Sequence, residues 1–328
     1  MTAQVTDAML QERPAKATIR AQWLQVLKEY EKFWSAEEVL YTTLCGAKAL
    51  DIHMLVEAGM IRTTEVGAIA ASDATKVVAV EASRESFREL RQAIPGLRVI
   101  DQRIDYIVGG ASDPISFPQK KKRDAARARV INLDFNGPFR LEHDPGAGFI
   151  HPDLETVRKL ASLHGRPSVR APWCLFLTFQ AEISWSEETQ REVFRYLGAN
   201  ATEHEAFGMQ LRSLYGDELF DSVLGDDPFD ISAQPREVQQ LVLGSFVAKR
   251  VAWLGSVSGW LVETRANWRY GGEESTAPMC TWMFDFRWDI RSDQSTDRVY
   301  RDSLDKVLQA TAFVNSDGTV IADVVETG

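Results

Sequence analysis

Residues Lys76–Ile100, KVVAVEASRESFRELRQAIPGLRVI, constrain the fold more than any other stretch. Val77, Val78, Ala79 and Val80 form a short continuous apolar run, which is how a strand covered on both faces reads. Ser83 offers an N-cap, Phe87, Leu90 and Ile94 recur at helical spacing, and Pro95-Gly96 stops the helix. A second apolar strand, Leu97–Ile100, follows. The unit is strand–helix–strand, with Glu81 at the carboxyl end of the first strand. In open parallel sheets that end faces the ligand crevice, and an acid there can accept both hydroxyls of a ribose. The same residue also reads as a solvated turn acid.

The rest of the chain fits an α/β protein of one large or two smaller domains. Apolar residues make up 45% and charged residues 26% of the 328, enough apolar content for a sizeable core. A net charge of -10 argues against a surface coated in cations for nucleic acid, although a local basic groove stays compatible with it. Cys45, Cys174 and Cys280 are odd in number and far apart, which suits a reduced, cytoplasmic setting better than a disulfide framework. The five histidines form no metal-spaced pair and there is no C-x-x-C, so no zinc site is expected. No apolar run approaches about 18 residues and no signal peptide is evident, so neither export nor a membrane span is expected.

Met1–Arg13 is polar, and Pro14–Trp34 carries an apolar stripe of Ile19, Trp23, Val26, Leu27 and Tyr30 that predicts a helix, either packed on its own domain or facing a partner. Together these make an N-terminal tail and helix, 1–35, before a main domain, 36–328. Val39–Leu44 predicts a strand, Cys45-Gly46-Ala47 a tight turn, and Leu50–Met60 a helix. Small residues before a helix amino end let a ligand approach free N–H groups, but one glycine stands where the dinucleotide fingerprint has three. After the Leu97–Ile100 strand, Asp101, Arg103 and Asp105 are equal candidates for a contact to an adenine ring. Lys120-Lys121-Lys122-Arg123 lies in a Pro-containing stretch and predicts a basic loop, either solvated or contacting a phosphate backbone.

Arg129–Phe139, RVINLDFNGPF, predicts a short buried strand ending in Asn132, Asp134 and Asn136 before Gly137-Pro138. Amides and carboxylates clustered at a strand end are costly to bury without partners, so the cluster is either solvated or a site. Leu141–His151 predicts a loop, Asp153 a helix cap, and Trp173–Phe179 another doubly covered strand. A helical block fills about 186–254, with Ser186 as its cap and helices over Glu203–Leu214, Asp217–Leu224 and Gln234–Leu254. The period then changes. Val257–Tyr270 and Met279–Ile290 alternate and predict an antiparallel hairpin. Trp282, Phe284, Phe286 and Trp288 share one parity, read as core or as a base-stacking surface. A helix over Asp297–Thr311 and a hairpin around Asn315–Gly318 close the chain.

The fold class expected is α/β: a doubly wound, mostly parallel sheet with a C-terminal antiparallel hairpin and a helical insertion. A dehydrogenase would repeat strand–helix units to the end, whereas here the closing hairpin makes the element order resemble the class I S-adenosylmethionine-dependent methyltransferases, over about Glu38 to Ile290. The resemblance implies that Cys45 and Gly46 flank the methionine end of S-adenosylmethionine, that Glu81 holds its ribose, and that Arg103 and Asp105 lie beside adenine. Asn132-Leu133-Asp134-Phe135 stands where amino-methyltransferases carry Asn/Asp-Pro-Pro-Tyr/Phe. Asn132 and Phe135 match the ends of that motif, while Leu133 and Asp134 depart from its prolines. By the resemblance, Asn132 polarises the target amine, Asp134 orients it, and Phe135 stacks on a base.

Three functions follow as expectations. The first is methyl transfer to an amino group, such as that of a nucleic-acid base gripped by Lys120, Lys121, Lys122 and Arg123. The second is a methyltransferase-like subunit that no longer catalyses and binds a protein partner or its own copy. The third is a Rossmann-like enzyme for another nucleotide.

Overall fold

The computed structural model describes residues 14–35, 38–46, 48–111, 120–144, 148–225, 229–271, 277–289 and 295–323. The tail before Pro14, Ala47 of the predicted turn, and Ile290 lie outside them. The class is α/β with a mostly parallel, mixed sheet. Contacts divide the chain into two units. Unit one comprises residues up to Asp134 with Trp173–Phe176 and Ser316–Thr319; unit two comprises Phe135–Pro172, Leu177–Asn315 and the residues from Val320.

Unit one is built on parallel strands. β1 (Tyr41–Thr43) lies between β2 (Val77–Glu81) and the start of β4 (Val130–Pro138), with Thr43 opposite Ala79 on one side and Asn132 on the other. β3 (Arg98–Asp101) runs parallel to β2, with Glu81 opposite Asp101. The four residues before Glu81 are buried, as a doubly covered strand requires. The crossover helix α3 (Arg84–Ala93) is capped by Ser83, whose hydroxyl accepts from the Ser86 N–H. The stretch from Arg62 to Thr75 holds one antiparallel bridge, Thr63 with Ile69.

Helix α1 (Pro14–Glu31) buries Ile19, Trp23, Val26, Leu27 and Tyr30, and Trp23 stacks on Phe176 at 5.4 Å between ring centroids. It packs within unit one, one of the two settings its stripe allows. The Thr18 hydroxyl donates to the Gly318 carbonyl at 3.0 Å, across 300 residues of sequence. Helix α2 (Leu50–Glu57) follows β1 and stops short of Met60. Helix α4 (Ile104–Ala111) follows β3. Helix α5 (Lys120–Ala125) replaces the basic loop expected at Lys120–Arg123. Unbranched lysines and arginine are good helix formers, and the run of like charge had concealed this.

In unit two, β8 (Trp260–Tyr270) and β9 (Met279–Trp288) form the expected antiparallel hairpin, with a bulge between Thr264 and Ala266. β9 neighbours β7 (Trp173–Gln180), while β10 (Thr311–Val314) runs parallel to β8 and pairs with β11 (Val320–Ala322). Trp282, Phe284 and Phe286 are fully buried, which removes the base-stacking alternative. The indole N–H of Trp282 donates to the Gly244 carbonyl of α9 (Arg236–Ser256) at 3.3 Å, so that helix covers the aromatic face. A Cβ on Gly255 would lie 2.4 Å from the Val262 side chain, so only glycine lets the end of α9 come this close.

The helical block runs through α7 (Glu187–Glu203), α8 (Glu205–Leu224) and α9. Ser186 caps α7 as expected. The two helices expected over residues 203–224 are joined as α8, kinked where Gly216 takes φ 71°. The stretch read as a loop at Leu141–His151 contains a small hairpin, β5 (Glu142–Asp144) with β6 (Gly148–Ile150). The cap of the next helix, α6 (Pro152–His164), is His151 rather than Asp153. The final helix, α10 (Thr296–Leu304), stops short of the predicted Thr311.

Candidate functional site at the edge of the parallel strands

The turn after β1 has two left-handed residues, Gly46 at φ 58° and Ala49 at φ 46°. Glycine adopts this conformation freely; for a buried alanine it is uncommon and strained, a condition that collects at functional sites. Nothing lies within 4 Å of where a Gly46 Cβ would stand, so the turn opens onto free space. Ala49 gives α2 no side-chain cap; the acid in its first turn, Asp51, takes the Ile52 N–H instead.

Beneath the turn is a buried polar network that has no counterpart in the sequence reading. Asp51, in the first turn of α2, accepts from the Tyr41 hydroxyl at 2.9 Å, from the Thr43 hydroxyl at 2.5 Å, and from the Ile52 N–H at 3.1 Å. Both hydroxyl protons are thereby spent on one carboxylate. Tyr41 and Thr43 can then only accept from Asn132, and the Asn132 Nδ2 donates to them at 3.0 and 3.4 Å. The amide orientation follows. Its carbonyl oxygen, Oδ1, turns away and has no hydrogen-bond partner among the described residues.

Asp134 lies two residues further along β4, hence on the same face as Asn132. Its Oδ1 is also enclosed without a partner among the described residues. Burial pushes its carboxyl above the usual range, opposed by Lys16 and Arg20 of α1 and reinforced by Asp51. The folded state therefore holds the Asp134 proton more tightly than the unfolded chain, and ionising it at neutral pH costs stability. Asp134→Asn should accordingly raise stability at pH 7 by about 1 kcal/mol. The gain should shrink as pH falls below the carboxylate range, where both states are protonated. Urea titrations at pH 7 and pH 3 check both statements.

The remaining candidates divide. Glu81 sits at the carboxyl end of β2, half-buried, with one oxygen accepting from the Ser83 N–H at 2.7 Å. Cys45 is half-buried; burial, Asp51 and Glu81 hold its thiol well above its ordinary range. The local field at this edge is therefore negative. Arg103 pairs with Asp105 at 3.1 Å, and the Arg103 guanidinium lies 5.9 Å from the ring of Tyr106, an exposed aromatic beside the end of β3. Phe135 does not join Asn132 and Asp134: it has the opposite parity and stacks on Phe179 at 5.2 Å in unit two. On α5, Lys120 is exposed and Arg123 half-buried, and neither contributes to the strand edge of β1, β2 and β4 described above. Among the described residues no group of acids, histidines and cysteines could hold a metal ion, and no helix is long and apolar enough to cross a membrane.

Tyr41, Thr43 and Asp51 are the site residues that sequence reasoning missed. The available signal was Asp51 itself, an acid inside the apolar run of LDIHMLV. Compared with protein-family models and with curated proteins, the chain matches none.

Proposed function

We propose that this chain is an S-adenosylmethionine-dependent methyltransferase of the class I type, built on a doubly wound sheet and acting on an amino group. The observation that carries the reading is the arrangement of acceptors on adjacent parallel strands. Glu81 ends β2, the Gly46 turn ends β1, and Asn132 with Asp134 lines β4 with two oxygens that have no partner among the described residues. Carboxyl-end placement is where open α/β sheets bind nucleotides, and β9 beside β7 supplies the closing hairpin that a dehydrogenase sheet lacks.

The residues present fit the cofactor. Glu81 has acceptor capacity for ribose hydroxyls, and the negative field around Cys45 suits a sulfonium cation. Arg103, Asp105 and Tyr106 stand at the end of β3, where an adenine ring would lie. The cofactor supplies an activated methyl group, so the protein's work is positioning and proton removal. The Asn132 carbonyl accepts one amine N–H and holds the nitrogen lone pair toward the donor. Asp134, whose proton affinity burial has raised, accepts the proton the amine must lose. The strained turn and the locked amide are features of a maintained site, which favours activity over the non-catalytic reading.

Isothermal calorimetry tests this directly. The wild-type protein should bind S-adenosylmethionine, and Glu81→Ala should weaken binding about tenfold or more, the value of one lost charge-assisted hydrogen bond. Absence of binding by the wild-type protein sinks the reading and leaves a scaffold or another nucleotide.

A further inference from the structure

Helix α3 carries its charges in an order that works against the helix. Arg84, Arg88 and Arg91 stand at i, i+4 and i+7 and so share one face, while Glu85 and Glu89 share the face beside it. All three arginines are exposed, and none has an ion pair among the described residues. Like charges at this spacing destabilise a helix, and Arg84 lies in the first turn, where the helix dipole disfavours a cation. Arginines on α6 and α7 are placed differently. Arg158 pairs with Glu155, Arg191 with Glu187 and Arg195 with Glu192, at 2.6, 2.8 and 2.5 Å. A face of three unneutralised guanidinium groups, on a chain of net charge -10, points to an anionic partner.

The face also has a direction. α3 begins where β2 ends: Glu81 accepts from the Ser83 N–H at 2.7 Å, and Ser83 caps the helix. Arg84 therefore stands beside the carboxyl edge of β2, and Arg88 and Arg91 lead away from it. Arg84 and Arg91 are about 10 Å apart along the axis, the span of about three phosphates in one nucleic-acid strand. The guanidinium fork fits a phosphate through two parallel hydrogen bonds. The half-buried Phe87 ring lies 5.7 Å from the Arg91 guanidinium and backs that end of the face. Phosphate is repelled from the strand edge itself, where the field around Cys45 is negative. A strand is thus held along the helix, with a base rather than its backbone turned toward Glu81.

We propose that the arginine face of α3 binds the phosphate backbone of a single-stranded nucleic acid and presents its bases to the strand edge. Strand binding stands on α3 alone; naming a base in that strand as the methyl acceptor rests on the methyltransferase reading. The grip on the strand moves from Lys120–Arg123, where the sequence placed it, to α3. DNA and RNA share this backbone chemistry.

The test measures fluorescence anisotropy of the full-length protein with labelled, mixed-sequence DNA and RNA strands of about 12 nucleotides, within the usual range of site sizes. At least one strand should bind at low salt, with an affinity that falls as salt rises. Replacing Arg84, Arg88 and Arg91 together by glutamine, a good helix former, should weaken binding about tenfold or more. It should also lower the slope of log K against log salt by about 2, from about 0.7 for each lost phosphate contact. Arg191→Gln with Arg195→Gln, which removes two paired cations from α7, should leave the slope unchanged. Should the triple variant fail to fold, Arg88→Gln alone should lower the slope by about 0.7. No binding of either strand overturns the proposal, as does a slope that the α3 variants leave unchanged. So does equal or tighter binding of polyglutamate or of phosphatidylserine vesicles, which would make the face a surface for acidic chains or for a membrane. S-adenosylmethionine calorimetry on the same samples separates the two readings. Strand binding without cofactor binding keeps this surface and removes the methyltransferase, and the converse removes only the surface.

Discussion

Lys249→Met should stabilise the protein by roughly 3–5 kcal/mol at pH 7. Lys249 lies on α9 with its side chain fully enclosed, its ammonium position against the Tyr196 carbonyl and 3.3 Å from the Tyr196 ring centroid. Burial is the main cause that brings its pKa down to about 6, with Arg250 adding to the effect and Glu203 opposing it. In the unfolded chain a lysine titrates near 10.4. Between those two values the unfolded state holds a proton that the folded state lacks, so stability rises with pH, by about 1.4 kcal/mol per unit. Methionine has nearly the same shape and carries no proton to lose. The advantage of the variant should therefore be large at pH 7 and small by pH 10. Urea midpoints of the two proteins across that range measure it, and an advantage that stays constant with pH would contradict the burial account.

Asp51→Ala should act in the opposite direction, costing about 3–5 kcal/mol. The carboxylate is the common acceptor for Tyr41, Thr43 and the Ile52 N–H, and all three donors are left behind in a buried setting. Its removal also frees the Tyr41 and Thr43 hydroxyl protons, so that either oxygen can donate and the Asn132 amide loses its fixed orientation. Tyr41→Phe introduced on top of Asp51→Ala should cost much less than in the wild-type background, because residues in one network are coupled. Chemical denaturation of the four proteins gives the coupling. A loss below about 1 kcal/mol for Asp51→Ala would show that the network is solvated rather than closed.

What could be read from the sequence divides by the range of the interactions. The β2–α3–β3 crossover was legible because its signals are local: a run of valines, a serine three residues before an N–H it can cap, and Pro95-Gly96 at the end. Asn132 and Asp134 were legible as a cost, because polar groups at the end of an apolar strand need an explanation. Their partners were not. Tyr41 and Thr43 meet Asn132 only through the parallel register of β1 with β4, which places residues about ninety positions apart side by side. No spacing rule contains that information. Lys249 was hidden for the opposite reason, since a lysine in a long helix ordinarily marks its wet face. Asp153 read as the cap of the helix after the Leu141–His151 stretch, whereas the ring of His151, two residues earlier, caps α6. Phe135 was read with its neighbours as one motif, but alternation along β4 sends it to the other face.

The tie between Thr18 and Gly318 has a kinetic meaning. Unit one draws together its first helix, a four-residue piece near the middle of the chain, and a turn about three hundred positions beyond the helix. Contacts of that separation are made late, after the entropy of closing a very large loop has been overcome. During synthesis, the Thr18 contact can therefore form only after residue 318 has been made, whereas the apolar stripe of α1 meets Phe176 from a much earlier stretch of the chain.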